Sequence, residues 1–141
     1  MKKLVMLATV MLIAVAGVFA MDSSVIKLSL INPLYIPMTD KVTGLDIGVI
    51  SAKTPTMWGL GGSMIVYESD ESIGLSGSLV NFSNKKVTGV QYGFYNSAEE
   101  VTGLQLGWIN ICNKMHGIQL GLINNIKTGP LPWFVFINAA F

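Results

Sequence analysis

The sequence predicts an all-β domain, and three observations favour this class. A phrase of the type Val-Thr-Gly-Leu-Gln-Leu-Gly-Trp-Ile-Asn occurs three times over residues 87–124, at a step of 14 residues. Side chains of different character alternate within each copy, which is the period of a β-strand. Short polar joints separate the copies. We therefore expect an eight-stranded antiparallel up-and-down β-barrel built from 14–15-residue repeats.

The first twenty residues predict a secretory signal peptide. Lys2 and Lys3 precede an apolar run that starts at Leu4, and a small residue, Ala20, stands at the expected cleavage point. This order of features is typical of such peptides. The alternative is an uncleaved membrane anchor, but the run is shorter than the ~20 residues that a spanning helix needs. We expect cleavage of residues 1–20, export, and one repeat-built domain over residues 21–141.

Composition excludes several classes of function. Charged residues make up only 12% of the chain and the formal net charge is +1, so nucleic-acid binding has no basic stripe to rest on. Cys112 is the only cysteine and His116 the only histidine. A disulfide framework, a metal cluster and a catalytic triad therefore all lack the residues they need. We expect no enzymatic activity, no cofactor and no metal.

Proline and glycine positions divide the chain into strands. The first strand covers residues 24–32 and ends at Pro33, because proline cannot donate to a ladder. Glycine then marks six copies of the repeat, at Gly44, Gly59, Gly74, Gly89, Gly103 and Gly117. A last strand covers residues 132–141. The resulting eight strands match a small closed barrel of the outer-membrane type.

The copy at residues 102–110 predicts how the side chains face. The even-numbered residues from Thr102 to Asn110 are expected on one face, and the odd-numbered residues from Gly103 to Ile109 on the other. In a membrane barrel the large apolar side chains would face lipid. Glycine and glutamine would then face a narrow lumen, where bulk does not fit and amides can pair.

This facing places five polar residues in the lumen: Lys27, Asp46, Gln91, Gln105 and Gln119. Lys27 is the only charged residue of the first strand, and Asp46 is the only one of the second. We expect the two to pair across adjacent strands, since a single buried charge is costly. The alternative is that both charges lie at strand ends and reach water.

The final segment resembles a known signature. Apolar residues alternate at Trp133, Val135 and Ile137, and the segment ends in Phe141. This pattern resembles the C-terminal signature of bacterial outer-membrane β-barrels, which their insertion machinery reads, although Ala139 stands where an aromatic residue is usual. The resemblance implies outer-membrane lipid and the insertion machinery as partners, and these four residues as the insertion signature.

The repeat as a whole resembles the bacterial "surface repeat" proteins, which are exported and mostly uncharacterised. The shared features are the Gly-Leu-Gln-Leu-Gly-Leu-Ile-Asn type of copy, the segment Leu-Ile-Asn-Pro-Leu at residues 30–34, and the closing residues 132–141. The resemblance implies a location at the outer membrane or cell surface. The leading prediction is therefore a non-enzymatic structural or surface-exposed outer-membrane barrel.

A β-solenoid is the alternative architecture. Each copy would then be one coil, and the glutamine, asparagine and glycine positions would stack as ladders. The corresponding function is a soluble or surface-attached repeat module that binds a protein or glycan partner.

Overall fold

The computed structural model describes residues 22–141 and shows a β-solenoid of about six turns, so the barrel prediction is wrong. The predicted signal peptide, residues 1–20, lies outside the described residues. All strands belong to one nine-stranded sheet in the order β2-β1-β3-β4-β5-β6-β7-β8-β9. Over the described residues, no helix has the length and apolar character to cross a membrane.

The solenoid is formed by parallel strands, with one antiparallel strand at each end. Pairing is parallel from β1 to β3 and then through β8, whereas β2 and β9 pair antiparallel with β1 and β8. The strands are β1 (Ser24–Ile31), β2 (Leu34–Ile36), β3 (Lys41–Gly48), β4 (Ser51–Ser63), β5 (Val66–Gly77), β6 (Val80–Tyr92), β7 (Tyr95–Leu106), β8 (Ile109–Ile126) and β9 (Trp133–Ala140).

Each repeat is one flattened coil with two arms, as β6 shows. Its first arm, residues 80–83, buries Asn81 and Ser83, and its second arm, residues 87–92, buries Val87 and Gln91. Three exposed residues between the arms form one corner, where the ladder register shifts. The other corner lies between β6 and β7. Buried side chains from the two arms meet inside the coil, so the core is a narrow column.

The pairing register explains why the barrel prediction fails. Gly89 lies beside Gly103, and Gln91 lies beside Gln105, so equivalent residues of successive repeats are neighbours. In an up-and-down barrel adjacent strands run in opposite directions. Because the strands run in opposite directions, equivalent residues of successive repeats would lie side by side only near the middle of each strand. The leading function prediction, an outer-membrane barrel, is wrong for the same reason, and the repeat-module alternative agrees with the fold.

The predicted facing of residues 102–110 is also wrong in its second half. Gln105 points inward and Leu104 does not, as the alternation requires, but Asn110 is buried as well. The strand ends at Leu106, and Gly107 and Trp108 form a corner before β8 begins. This corner resets the alternation, so Asn110 and Gln105 share the interior although they differ in parity.

One glycine position is required in every coil because the adjacent coils approach closely. Gly103 has a φ angle of 133°, in a region that residues with side chains rarely adopt. A Cβ atom at Gly103 would lie 2.2 Å from the carbonyl oxygen of Gly89 in the preceding coil. Gly117 repeats this arrangement against Gly103. The glycine step of the sequence therefore marks a backbone contact between coils.

Candidate functional site

An asparagine ladder occupies the interior of the later coils. Asn81, Asn96, Asn110 and Asn124 stack in register, and each of the first three donates its side-chain amide to the next, at 2.8, 2.8 and 2.9 Å. The same amide groups also donate to backbone carbonyls, such as Asn96 Nδ2 to Leu106 O at 2.8 Å. The ladder therefore ties the corner of each coil to the next coil.

A second ladder contains the three predicted glutamines, and all three are buried. Gln105 Nε2 donates to Gln91 Oε1 at 2.7 Å, and Gln119 Nε2 donates to Gln105 Oε1 at 2.7 Å. The amide of Gln119 also reaches Asn125 O at 3.1 Å. These side chains lie in the solenoid core, where Gln119 Oε1, at one end of the ladder, has no hydrogen-bond partner among the described residues.

Lys27 and Asp46 are both buried near the N-terminal end, and Thr54 lies between them. Lys27 Nζ donates to Thr54 Oγ1 at 2.7 Å and to Lys53 O at 2.6 Å. The hydroxyl of Thr54 in turn donates to Asp46 Oδ2. Among residues 22–141, the ion pairs within 4.0 Å do not include Lys27 with Asp46. The structure brings the two predicted partners together through a hydroxyl.

Tyr67 completes this polar cluster. Its hydroxyl donates to Asp46 Oδ2 at 3.0 Å, and burial together with the nearby carboxylate raises the pKa of Tyr67 above its ordinary value. Burial lowers the pKa of Lys27, and the charge of Asp46 opposes that shift. Gly61 provides the space, since a Cβ atom there would lie 2.4 Å from the Tyr67 hydroxyl. The cluster is therefore held together through Asp46 Oδ2, while Asp46 Oδ1 is buried without a hydrogen-bond partner among the described residues.

The reactive side chains of the sequence are separated in the fold. Cys112 is buried, and burial raises its pKa to about 12, so it remains a protonated thiol at neutral pH. His116 is exposed on the outer surface of β8. In the part of the chain that the structure describes, no group of three or more His, Cys, Asp or Glu residues could hold a metal ion.

The outer surface of the second arms is an exposed apolar sheet, here called the apolar face. Its central column has an aliphatic side chain in every coil. The two flanking columns are mixed. The column before it contains Trp58 and Ile73 but also Thr43, Thr88, Thr102 and His116, and the column after it contains Ile47, Tyr92, Leu106 and Leu120 but also Gly62 and Gly77. The apolar face consists of Leu45, Leu60, Leu75, Val90, Leu104 and Ile118, flanked by Ile47, Trp58, Ile73, Tyr92, Leu106 and Leu120.

The two corners of the coil have opposite character. One, the apolar corner, continues the apolar face and consists of Ile50, Ile65, Leu79, Phe94 and Trp108. The rings of Phe94 and Trp108 stack with their centroids 5.0 Å apart. The other, the polar corner, contains an ion pair between coils, Lys86 with Glu100 at 2.9 Å, and Lys53 pairs with Glu68 at 2.7 Å on the adjacent outer surface of the first arms. The solenoid is therefore amphipathic around its axis.

A groove lies where the apolar face meets the apolar corner. It has a volume of about 770 Å³. Its lining includes Met64, Leu79, Tyr92, Phe94 and Trp108. Aromatic side chains in a concave apolar setting are typical of binding surfaces.

The four residues of the predicted insertion signature lie at the C-terminal end. Trp133, Val135 and Ile137 belong to β9, Phe141 follows it, and all four are exposed. The role of these residues in membrane insertion stays a prediction.

Sequence reasoning assigned the apolar face to lipid and therefore missed it as a site on a solenoid. The signal was present, because Leu60, Leu75 and Leu104 recur at one fixed position of the repeat. Alternation alone reports that one side of a strand is apolar. It does not distinguish an outer surface exposed to water from one exposed to lipid.

Comparison of the chain with protein-family models, with curated proteins and with solved structures found no match. The structure therefore defines the class, a β-solenoid repeat protein. The resemblance to "surface repeat" proteins stays a prediction.

Proposed function

We propose that this protein is an exported, non-enzymatic repeat module that binds a partner protein at the cell surface through its apolar face. The observation that carries the proposal is the exposed sheet formed by the second arms of the coils, whose central column is aliphatic in every coil. The polar residues of the core are buried, so the outer surface is where recognition of a partner would take place.

The exposure of the apolar face supports a binding role. Leu60 and Leu75, in the middle of the sheet, are 54% and 44% exposed, and Tyr92 is 63% exposed. Contiguous apolar patches beyond a few hundred Å² are uncommon on monomeric soluble proteins and mark interaction sites. The outer surface of the first arms is different, because Lys53 and Glu68 lie there.

The chemistry of the apolar face favours a protein over a glycan as the partner. A glycan-binding surface combines aromatic rings with polar groups that hydrogen-bond the sugar hydroxyls. The central column from Leu45 to Ile118 has no hydrogen-bonding side chain. The threonines of the face, Thr43, Thr88 and Thr102, lie along one side of this column. A flat apolar surface with aromatic side chains at its margin matches the core of a protein–protein interface.

Photo-cross-linking from a single labelled position tests the proposal. A benzophenone would be attached to the new thiol of Leu75→Cys, on the apolar face, and to that of Asn84→Cys, on the polar corner. Both variants would contain Cys112→Ala, a change that the neighbouring coil supports because Ala98 lies beside Cys112 in register. The labelled chains would be irradiated on the surface of the exporting cells.

The proposal expects a discrete protein adduct from position 75 that excess unlabelled protein suppresses, and little adduct from position 84. Adding Leu60→Lys should abolish the adduct, because a charge would enter the same face. Equal adducts from both positions, or none from position 75, would contradict the proposal. An adduct that glycosidases remove and proteases leave intact would identify a glycan and overturn the choice of a protein.

Export has a separate test. Mass spectrometry of the protein recovered from the cell surface should give a chain that begins at residue 21. A chain found in the cytoplasm with residues 1–20 attached would contradict export.

A further inference from the structure

The last strand, β9, has an open edge. It is the final strand in the sheet order, and among residues 22–141 it pairs only with β8. Five consecutive residues, Trp133–Ile137, are between 46% and 69% exposed. The strand has neither a charged residue nor a proline. Proteins usually protect edge strands with charge, proline, a bulge or a covering segment, because an open edge pairs with other chains. Of these, β9 has a local irregularity at Phe136, where φ is 67° and the register with β8 shifts.

The opposite end of the solenoid has such protection. The short strand β2 covers part of β1, and Pro33 and Pro37 flank β2. Proline has no N–H group to donate to an added strand. Exposed Asp22 and Asp40 lie near this end. The N-terminal end is covered only in part, since β2 pairs with Leu28–Ile31 and leaves Val25 and Ile26 exposed, but it differs from the C-terminal end in having a covering strand and carboxylates nearby.

We propose that β9 pairs with β9 of a second copy of this chain around a two-fold axis, which gives a closed dimer. A two-fold axis places the two strands antiparallel, and antiparallel pairing continues the relation that β9 has with β8. Because β9 is uncharged, the pairing brings no like charges together. A head-to-tail contact would instead join an open edge to a partly covered one.

The exposed apolar area at this end sets an upper limit on the apolar area that the dimer could bury. The side chains of Trp133–Ile137 and Phe141 together expose on the order of 700 Å², taking ~150–250 Å² for a whole aromatic side chain. A standard interface buries about 800 Å² on each partner. New hydrogen bonds along the strand edge would add to this burial.

Dimerisation through β9 would also enlarge the apolar face. Ile137 lies beside Leu120, and Ala139 lies beside Ile118, so the outer side of β9 continues that face. The two-fold axis would join two such faces edge to edge. The dimer does not depend on the proposed function, because it concerns the mass of the purified protein alone.

The test is the mass of the exported protein, purified and measured by size exclusion with light scattering over a range of concentrations. The wild type is expected at twice the mass of one chain, and Ile137→Lys at the mass of one chain. Ile137 is 51% exposed, so the substitution leaves the core intact. Val135→Asp is a second edge variant with the same expectation, and circular dichroism would verify that each variant is folded.

Two matched lysine variants distinguish this dimer from other assemblies. Leu28→Lys, on β1, and Leu60→Lys, in the middle of the apolar face, have similar exposure and should both remain dimeric. A monomeric wild type would overturn the proposal. Oligomers that grow with concentration, and that Leu28→Lys reduces in size, would also overturn it. The same holds for a dimer that Leu60→Lys dissociates, if the folded variants Ile137→Lys and Val135→Asp remain dimeric.

Discussion

The asparagine ladder provides the sharpest test of the fold, through the substitution Asn96→Ala. The side chain of Asn96 is fully buried and makes three hydrogen bonds of 2.8 Å. Its Oδ1 accepts from Asn81, and its Nδ2 donates to Leu106 O and to Asn110 Oδ1. Alanine would remove all three bonds and leave a space in the core column.

The three hydrogen-bond partners of Asn96 lose different amounts of stabilising free energy. Asn81 Nδ2 retains Tyr92 O at 2.9 Å, and Leu106 O retains the amide of Gly93 at 2.9 Å, so each loses one of its bonds. Asn110 Oδ1 loses the donor that Asn96 supplies, at ~1–3 kcal/mol for an unsatisfied buried acceptor. The two partial losses add ~0.5–1.5 kcal/mol each. The free energy of unfolding should therefore fall by about 2–6 kcal/mol.

Equilibrium unfolding in urea, followed by circular dichroism, measures this change. The matched control is Asn84→Ala on the polar corner, where the same amide bonds only exposed carboxylates, Asp70 at 3.0 Å and Glu68 at 3.2 Å. Surface substitutions of this kind change stability by about 0.5 kcal/mol or less. If the two variants unfold at the same free energy, the ladder does not stabilise the solenoid and the reasoning is refuted.

Three further predictions concern the glycine column, the buried thiol and the polar cluster. Gly103→Ala should lower stability by about 3 kcal/mol or more, because its Cβ would meet Gly89 O, whereas Gly77→Ala, whose Cβ would lie 3.8 Å from Tyr92 O, should change it little on chemical unfolding. The pKa of Cys112 is raised from 9.0 to about 12, so the unfolded chain loses this proton first. Wild-type stability should then fall as pH rises from 9 to 12, by up to about 1.4 kcal/mol per pH unit, and Cys112→Ala should lack that part of the slope. Asp46→Ala should lower stability by more than about 1 kcal/mol in thermal unfolding, since it leaves Thr54 and Tyr67 without their buried acceptor. Equal stability of Gly103→Ala and Gly77→Ala, an unchanged slope for Cys112→Ala, or an unchanged midpoint for Asp46→Ala would contradict these expectations in turn.

The sequence was sufficient for the all-β class and for the repeat, because both depend on local patterns. Alternation around Gln105 is a property of one strand, and the glycine step repeats in the pairing register of Gly89 with Gly103. The direction in which neighbouring strands run is not local. Both architectures have a polar column inside and an apolar surface outside, so hydropathy could not choose between them.

Corners were the second source of error. The long alternation from Thr102 to Asn110 appeared to leave no room for a turn, yet Gly107 and Trp108 form one. A glycine with an exposed aromatic residue beside it fits either a strand or a corner. The inward position of Asn110 shows that a corner occurs here. That position is held by the hydrogen bond from Asn110 to Asn124 in the next coil.

Parallel coils explain why the same residue type recurs at each stacked position, whereas a barrel does not. An amide has a donor and an acceptor, so glutamines in register can bond to one another, as Gln105 does to Gln91 and Gln119 does to Gln105. A column of one charge would repel itself, so charged residues fit best where the sign changes between coils. Lys53 lies beside Glu68, and Lys86 beside Glu100, in this manner. The repeat therefore keeps amides inside and alternates charge at and beside one corner, because each coil must be compatible with a near copy of itself.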